Sequence, residues 1–68
     1  MKNCIKELRA EKQLTQEQLS KKVGVSRQSI VAIESGKYNP SLELAFKIAQ
    51  QFNRTIEEVF LFEGGRDK

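Results

Sequence analysis

The 68 residues include one cysteine and no histidine, and carry a net charge of +3 from 12 basic and 9 acidic side chains. That composition excludes an intrachain disulfide and leaves no Cys/His set with the spacing of a structural zinc site. A chain this short must rest on a well-packed helical core or on self-association. No apolar run approaches the ~20 residues of a membrane span. The N-terminus "MKNCIKELRAEK" lacks the apolar centre of a signal peptide, and a lone thiol fits a reducing compartment. A single cytoplasmic domain spanning 1–68 is expected.

Apolar spacing is helical along nearly the whole chain. Ile5 and Leu8 begin a first helix over residues 3–12, with Asn3 as its N-cap. Thr15 opens a second helix through the capping box "TQEQ", in which Gln18 reaches back three residues. Leu19 and Val23 form its buried face. Gly24 ends it, because glycine takes a positive φ at no steric cost. Ser26 caps a third helix that buries Ile30 and Ile33 and stops before Gly36. "KYNP" reads as a loop with a turn at Asn39-Pro40. Ser41 caps a fourth helix with Leu42, Ala45, Phe46, Ile48, Ala49 and Phe52 on its apolar side. Thr55 opens a short fifth helix through a second capping box, "TIEE". The run Val59-Phe60-Leu61-Phe62 is too dense in apolar residues for one helical face. It predicts a change to an extended strand, with Val59, Leu61 and Glu63 on one side and Phe60 and Phe62 on the other. Residues 60–63 are expected to pair with residues 1–4. The fold class is therefore all-α, five helices with a short terminal two-stranded β element.

Residues 16–35 carry the strongest pattern. Leu19, Val23, Gly24, Val25, Ile30 and Ile33 stand in the order and spacing that two helices joined by a tight turn require. Gly24 permits the bend, Val25 plugs the corner beneath it, and Ile30 and Ile33 pin the third helix across the second. Ser20 stands where the two helices come closest, and it is small enough to avoid a clash. This is a helix-turn-helix. The run "LTQEQLSKKVGVSRQSIVAIESGKYNPSLELAFKIAQQF" resembles the phage-repressor/Cro type of helix-turn-helix transcriptional regulator. The short ending "TIEEVFLFE" resembles the compact members of that group, which consist of little beyond this domain and dimerise. The resemblance covers about residues 5–63. It implies five helices, sequence-specific binding to double-stranded DNA, and repression from a palindromic operator.

The charge distribution agrees. Residues 12–37 hold five basic and two acidic side chains, whereas residues 38–68 hold four basic and five acidic. Excess positive charge in the middle of the chain suits a polyanion on one face. A third helix presented end-on to the major groove brings its first turn, Ser26 to Ser29, to the bases. Arg27 has the donors for guanine and Gln28 the donor–acceptor pair for adenine. Ala32 is small enough to let the helix approach and to touch a thymine methyl. Backbone contacts are expected from Ser26 and Ser29. Gln16 joins them, since it stands at a helix N-terminus where free N–H groups attract anions, and the resemblance places a glutamine there on phosphate. The resemblance also lays Lys37, Tyr38 and Asn39 along a phosphate strand. Lys12 and Lys22 are expected to add long-range attraction only. From the resemblance comes a structural ion pair as well, Arg9 on the first helix with Glu34 near the end of the third. Dimerisation is expected through residues 56–63, with Ile56, Val59, Leu61 and Phe62 at the interface and Phe60 closing the chain's own core.

Other classes fit less well. The glutamates are scattered over solvent-facing positions with no histidine, phosphate loop or metal cluster beside them, so no enzymatic activity, cofactor, metal or small-molecule ligand is expected. An antitoxin that binds a toxin protein and autoregulates is the alternative function, since such proteins share this helix-turn-helix. A pure protein-interaction module is disfavoured by the basic first turn of the third helix. Nothing near Cys4 marks it as a redox switch.

Overall fold

The computed structural model describes residues 2–61. Along these the order is β1 (Lys2–Asn3), α1 (Ile5–Lys12), α2 (Gln16–Val23), α3 (Arg27–Glu34), α4 (Leu42–Gln51), α5 (Ile56–Val59) and β2 (Phe60–Leu61). Side-chain oxygens set four of the five helix starts. Thr15 and Thr55 each close a full capping box, with Gln18 and Glu58 reaching back to the cap N–H at 2.8 and 2.9 Å. Ser26 and Ser41 each accept from the N–H three residues on, both at 3.2 Å. Each such bond contributes about 1 kcal/mol by satisfying an N–H that the helix cannot.

The first helix starts differently from the expectation. Asn3 lies in β1 and the helix begins at Ile5. Asn3 still works at that helix start, because its Oδ1 accepts from the Ile5 N–H at 3.1 Å. Its Nδ2 meanwhile donates to the carbonyl of Ile33 at 2.9 Å. One side chain thus joins the ribbon to both α1 and α3. Two helix ends take a left-handed φ without glycine. Gln13 after α1 and Asn53 after α4 adopt φ of 57° and 54°. Gly24, at 81°, matches the positive φ read from the sequence, and Gly36, before which the third helix was expected to stop, takes 83°.

β1 and β2 pair antiparallel, Lys2 with Leu61 and Asn3 with Phe60. The expected terminal ribbon is therefore present over residues 2–3 and 60–61; Met1, Phe62 and Glu63 lie outside the described residues. The strand alternates as a half-covered ribbon should, with Phe60 buried and Leu61 exposed. Val59 does not share Leu61's side. It is the last helical residue of α5, fully buried, and its carbonyl accepts from the Cys4 N–H at 2.8 Å.

One core joins all five helices: Ile5, Leu8, Leu19, Val23, Ile30, Ile33, Ala45, Ile48, Ala49, Phe52, Val59 and Phe60. Val25 packs against it from the turn. Ser20 is 3 % exposed, and its hydroxyl donates to the Glu17 carbonyl at 2.7 Å, so its polar atom costs the core nothing unpaired. The apolar stripe of α4 is wider than the core it meets. Ala45, Ile48, Ala49 and Phe52 are buried, but Leu42 is 77 % and Phe46 55 % exposed. These two, placed on the apolar side of the helix by the sequence, face outward because no element among the described residues covers the first turns of α4 on that side.

Candidate nucleic-acid interface

The polar face of the protein is built around α3. Gly24 bends the chain, Val25 fills the corner, and Ser26 starts α3 with its side chain turned back onto the helix. The Ser26 Oγ accepts from the Ser29 N–H and lies 3.2 Å from the Ser29 hydroxyl. Ile30 and Ile33 are 0 % and 1 % exposed and hold the inner side of α3. The outer side of its first turn carries Arg27 and Gln28, both exposed. The Gln28 side chain makes no hydrogen bond among the described residues. Further along, Val31 is 38 % exposed. Ala32 is only half-buried, and its carbonyl accepts from the Ser35 hydroxyl at 2.9 Å and from the N–H groups of Lys37 and Tyr38. Val31 is thus the more open apolar group on this face.

A chain of polar contacts runs from the protein body to Arg27. Arg9 donates through Nε to Glu34 Oε2 at 2.6 Å and through Nη2 to Oε1 at 3.2 Å. Its Nη1 donates to the Leu14 carbonyl at 2.8 Å. The two side chains are 15 % and 8 % exposed, so the pair is largely desolvated and held at both carboxylate oxygens. Glu34 Oε1 also accepts from the Gln16 amide at 3.2 Å. The Gln16 carbonyl oxygen in turn faces Arg27 Nη1 at 3.5 Å. Arg9 therefore ties α1, the loop before α2 and the end of α3 together, while Gln16 extends that frame to the first turn of α3.

Around this face, Lys37, Tyr38 and Asn39 are exposed in the loop after α3. Tyr38 is open by 51 %. Lys6, Lys12, Lys22 and Lys37 have no ion-pair partner among the described residues, whereas Lys21 is paired with Glu17 at 3.6 Å. Lys6 was missed by sequence reasoning. It lines one shallow depression with Arg9, Gln16, Val31, Glu34 and Ser35. The signal was available: Lys6 precedes Arg9 by three residues on one helix and shares its face.

The described residues expected at a dimer interface differ in what they expose. Val59 is 0 % exposed within the chain's own core and has no area to offer a partner. Leu61, 42 % exposed, lines a depression with Lys2, Asn3, Glu34, Ser35 and Gly36. Half-buried Ile56 lines a different one, with Leu42, Phe46, Arg54, Thr55 and Glu57. Phe62 lies outside the described residues. Among the described residues no group of His, Cys, Asp or Glu converges as a metal site, and no helix is long and apolar enough to cross a membrane.

Comparison with known proteins agrees with this geometry. Residues 5–59 match the helix-turn-helix family HTH_3. An HTH-type transcriptional regulator of Methanocaldococcus jannaschii is 62 % identical over 63 residues, which are 93 % of this chain and 96 % of that one. The cryptic phage CTXphi transcriptional repressor RstR of Vibrio cholerae is 34 % identical over 55 residues, 81 % of this chain and 50 % of that protein. The transcriptional activator BcrR of Enterococcus faecalis is 44 % identical over 55 residues, 81 % of this chain but only 27 % of that protein. Among solved structures, the restriction-modification controller protein C.AhdI of Aeromonas hydrophila superimposes with a TM-score of 0.75 at 34 % identity, covering 82 % of this chain and 85 % of that one. With its turn, its exposed α3 and these relatives, the chain belongs to the phage-repressor/Cro type of helix-turn-helix transcriptional regulators, a family of DNA-binding proteins and not of enzymes.

Proposed function

We propose that this protein is a cytoplasmic repressor that binds a palindromic operator in double-stranded DNA as a homodimer. One observation carries the reading: the first turn of α3 is fixed from beneath by Ile30 and Ile33 and framed by Gln16, yet leaves Arg27 and Gln28 open to solvent. A rigid helix end with exposed side chains matched to guanine and adenine edges is what major-groove readout requires. Arg27 and Gln28 read bases, with Val31 and Ala32 behind them against thymine methyls. Gln16, Ser26, Ser29, Lys37, Tyr38, Asn39 and Lys6 hold the phosphates on either side.

The homodimer follows from the length of the site. One recognition helix spans about four or five base pairs, too few for useful specificity. A two-fold pair doubles the site and sets half-sites ~34 Å apart. Repression is favoured over activation because the similar RstR is a transcriptional repressor of which this chain spans 50 %, against 27 % of the activator BcrR. Selection of bound sequences from a random DNA pool tests the reading. An inverted repeat with one helical turn between half-site centres is expected. Recovery of a single half-site, or no enrichment at all, rejects it.

A further inference from the structure

We propose that the apolar face shared by α4 and α5 is the seat of a second copy of this chain, locked by a reciprocal Arg54–Glu57 ion pair. The inference rests on the homodimer reading and deepens it by naming the surface. Leu42 and Phe46 are four residues apart on α4, hence on one side of it, and both are open to solvent at 77 % and 55 %. They line a single groove with Ile56 on α5. One exposed leucine on a small protein needs no explanation, but a contiguous apolar groove with a polar rim does.

The rim identifies the occupant. Arg54 and Glu57, of opposite sign and three residues apart, flank the groove on the α5 side. In a two-fold interface every contact from one residue to another is repeated in reverse. A second copy therefore brings an equal apolar stripe, and sets Arg54 against the partner's Glu57 while Glu57 meets the partner's Arg54. A rim of one sign would repel its own copy; this one is self-complementary. Among the described residues the Arg54 guanidinium pairs with the exposed Glu11, at 3.5 Å, and its side chain remains 42 % exposed, so it can turn to engage across an interface. The groove also begins at Leu42, immediately after the loop of Lys37 to Ser41. Joining two copies there brings the loops that flank both α3 helices toward one another, as a two-half-site operator requires.

Sedimentation of the whole chain, with thermal melts alongside, tests this. Phe46→Lys is expected to weaken the dimer ~30-fold or more, the loss typical of a central interface residue, while the fold survives because the side chain is open in the monomer. Arg54→Glu and Glu57→Arg should each weaken self-association. Mixed together, the two single variants should form heterodimers, since each then meets its opposite charge. That rescue does not depend on the Glu11 contact, which only one of them loses. If Phe46→Lys and both charge variants dimerise as the wild type does, another surface joins the copies and this inference fails while the homodimer stands. If the wild type stays monomeric at high micromolar concentration yet binds a palindrome undiminished, both fail. A monomer whose groove takes up the apolar dye ANS, with uptake lost in Phe46→Lys, would assign the groove to a small apolar ligand and overturn the inference.

Discussion

The pairs α2–α3 and α4–α5 are built with the same local devices and leave opposite surfaces. Each pair has a Thr capping box, at Thr15 and Thr55, and each has a left-handed residue at the end of its first helix, Gly24 and Asn53. In α3 the outward side of the first turn is polar, with Arg27 and Gln28. In α4 the outward side of the first turns is apolar, with Leu42 and Phe46. The devices that start and stop helices thus say nothing about what a helix presents. The difference lies in the few residues that the core does not need, and those residues separate the proposed DNA-reading face from the proposed pairing face.

The sharpest break in this comparison comes from the two sides of α4. Ile48 is fully buried, so Ile48→Ala should cost about 2–5 kcal/mol. For a domain of this size that lowers the melting temperature by ~10 °C or more. Leu42→Ala should cost within ~0.5 kcal/mol in dilute solution, the range for a surface site. Its effect should grow with protein concentration, because only the associated form covers Leu42. Denaturant melts at several concentrations distinguish the two; equal losses at all concentrations would place Leu42 in the monomer core.

The polar frame behind α3 ranks next. Glu34→Ala leaves Arg9 largely desolvated with the Leu14 carbonyl as its remaining partner, and should cost about 3 kcal/mol. Adding Arg9→Met should recover part of that loss, since two apolar side chains need no partner. A double mutant less stable than Glu34→Ala would show that Arg9 works through some other contact. Stability and readout then separate at Arg27. Arg27→Ala should hardly alter the melt, but should cost ~1–3 kcal/mol on the best operator and relax preference at one base pair per half-site. Lys37→Ala should instead weaken all sequences alike and lower the salt slope by about 1. Unchanged sequence preference in Arg27→Ala removes it from the bases.

Much of this molecule is legible in the sequence because short-range rules govern it. The caps at Thr15, Ser26, Ser41 and Thr55 depend on residues within three positions, and the turn at Gly24 on its own φ and two neighbouring valines. The terminal ribbon is legible as a break in helical periodicity at Phe60. What escaped depends on distant partners. Periodicity marks Leu42 and Phe46 as apolar but cannot say whether any element covers them. It marks Val59 as apolar but not that the helix persists to it and buries it. The Asn3–Ile33 bond joins residues 30 apart, and no local pattern encodes it. Lys6 and Gln16, on different helices, come to line one depression only in the folded chain. At the candidate site the residue types of the first turn of α3 were readable, whereas the frame from Gln16 to Arg27 required the fold.

The smallest effect tests the turns themselves. Gly24 and Asn53 both hold a left-handed φ, 81° and 54°. A Cβ built at Gly24 meets nothing within 4 Å, so space is not what requires glycine there. The requirement is the backbone conformation, which costs an ordinary L-residue roughly 1–2 kcal/mol and asparagine less. Gly24→Ala should therefore lose about 1 kcal/mol, partly offset by the lower entropy of its unfolded chain. Gly24→Asn should lose about half as much, since Asn53 shows that this chain accommodates asparagine in the same conformation. Both should keep operator preference, because the angle of α3 is held from beneath by Val25, Ile30 and Ile33. Chemical denaturation with parallel DNA titration reads both quantities. Loss of DNA binding in Gly24→Ala without loss of stability would mean that the turn alone, and not the packing under it, aims the recognition helix.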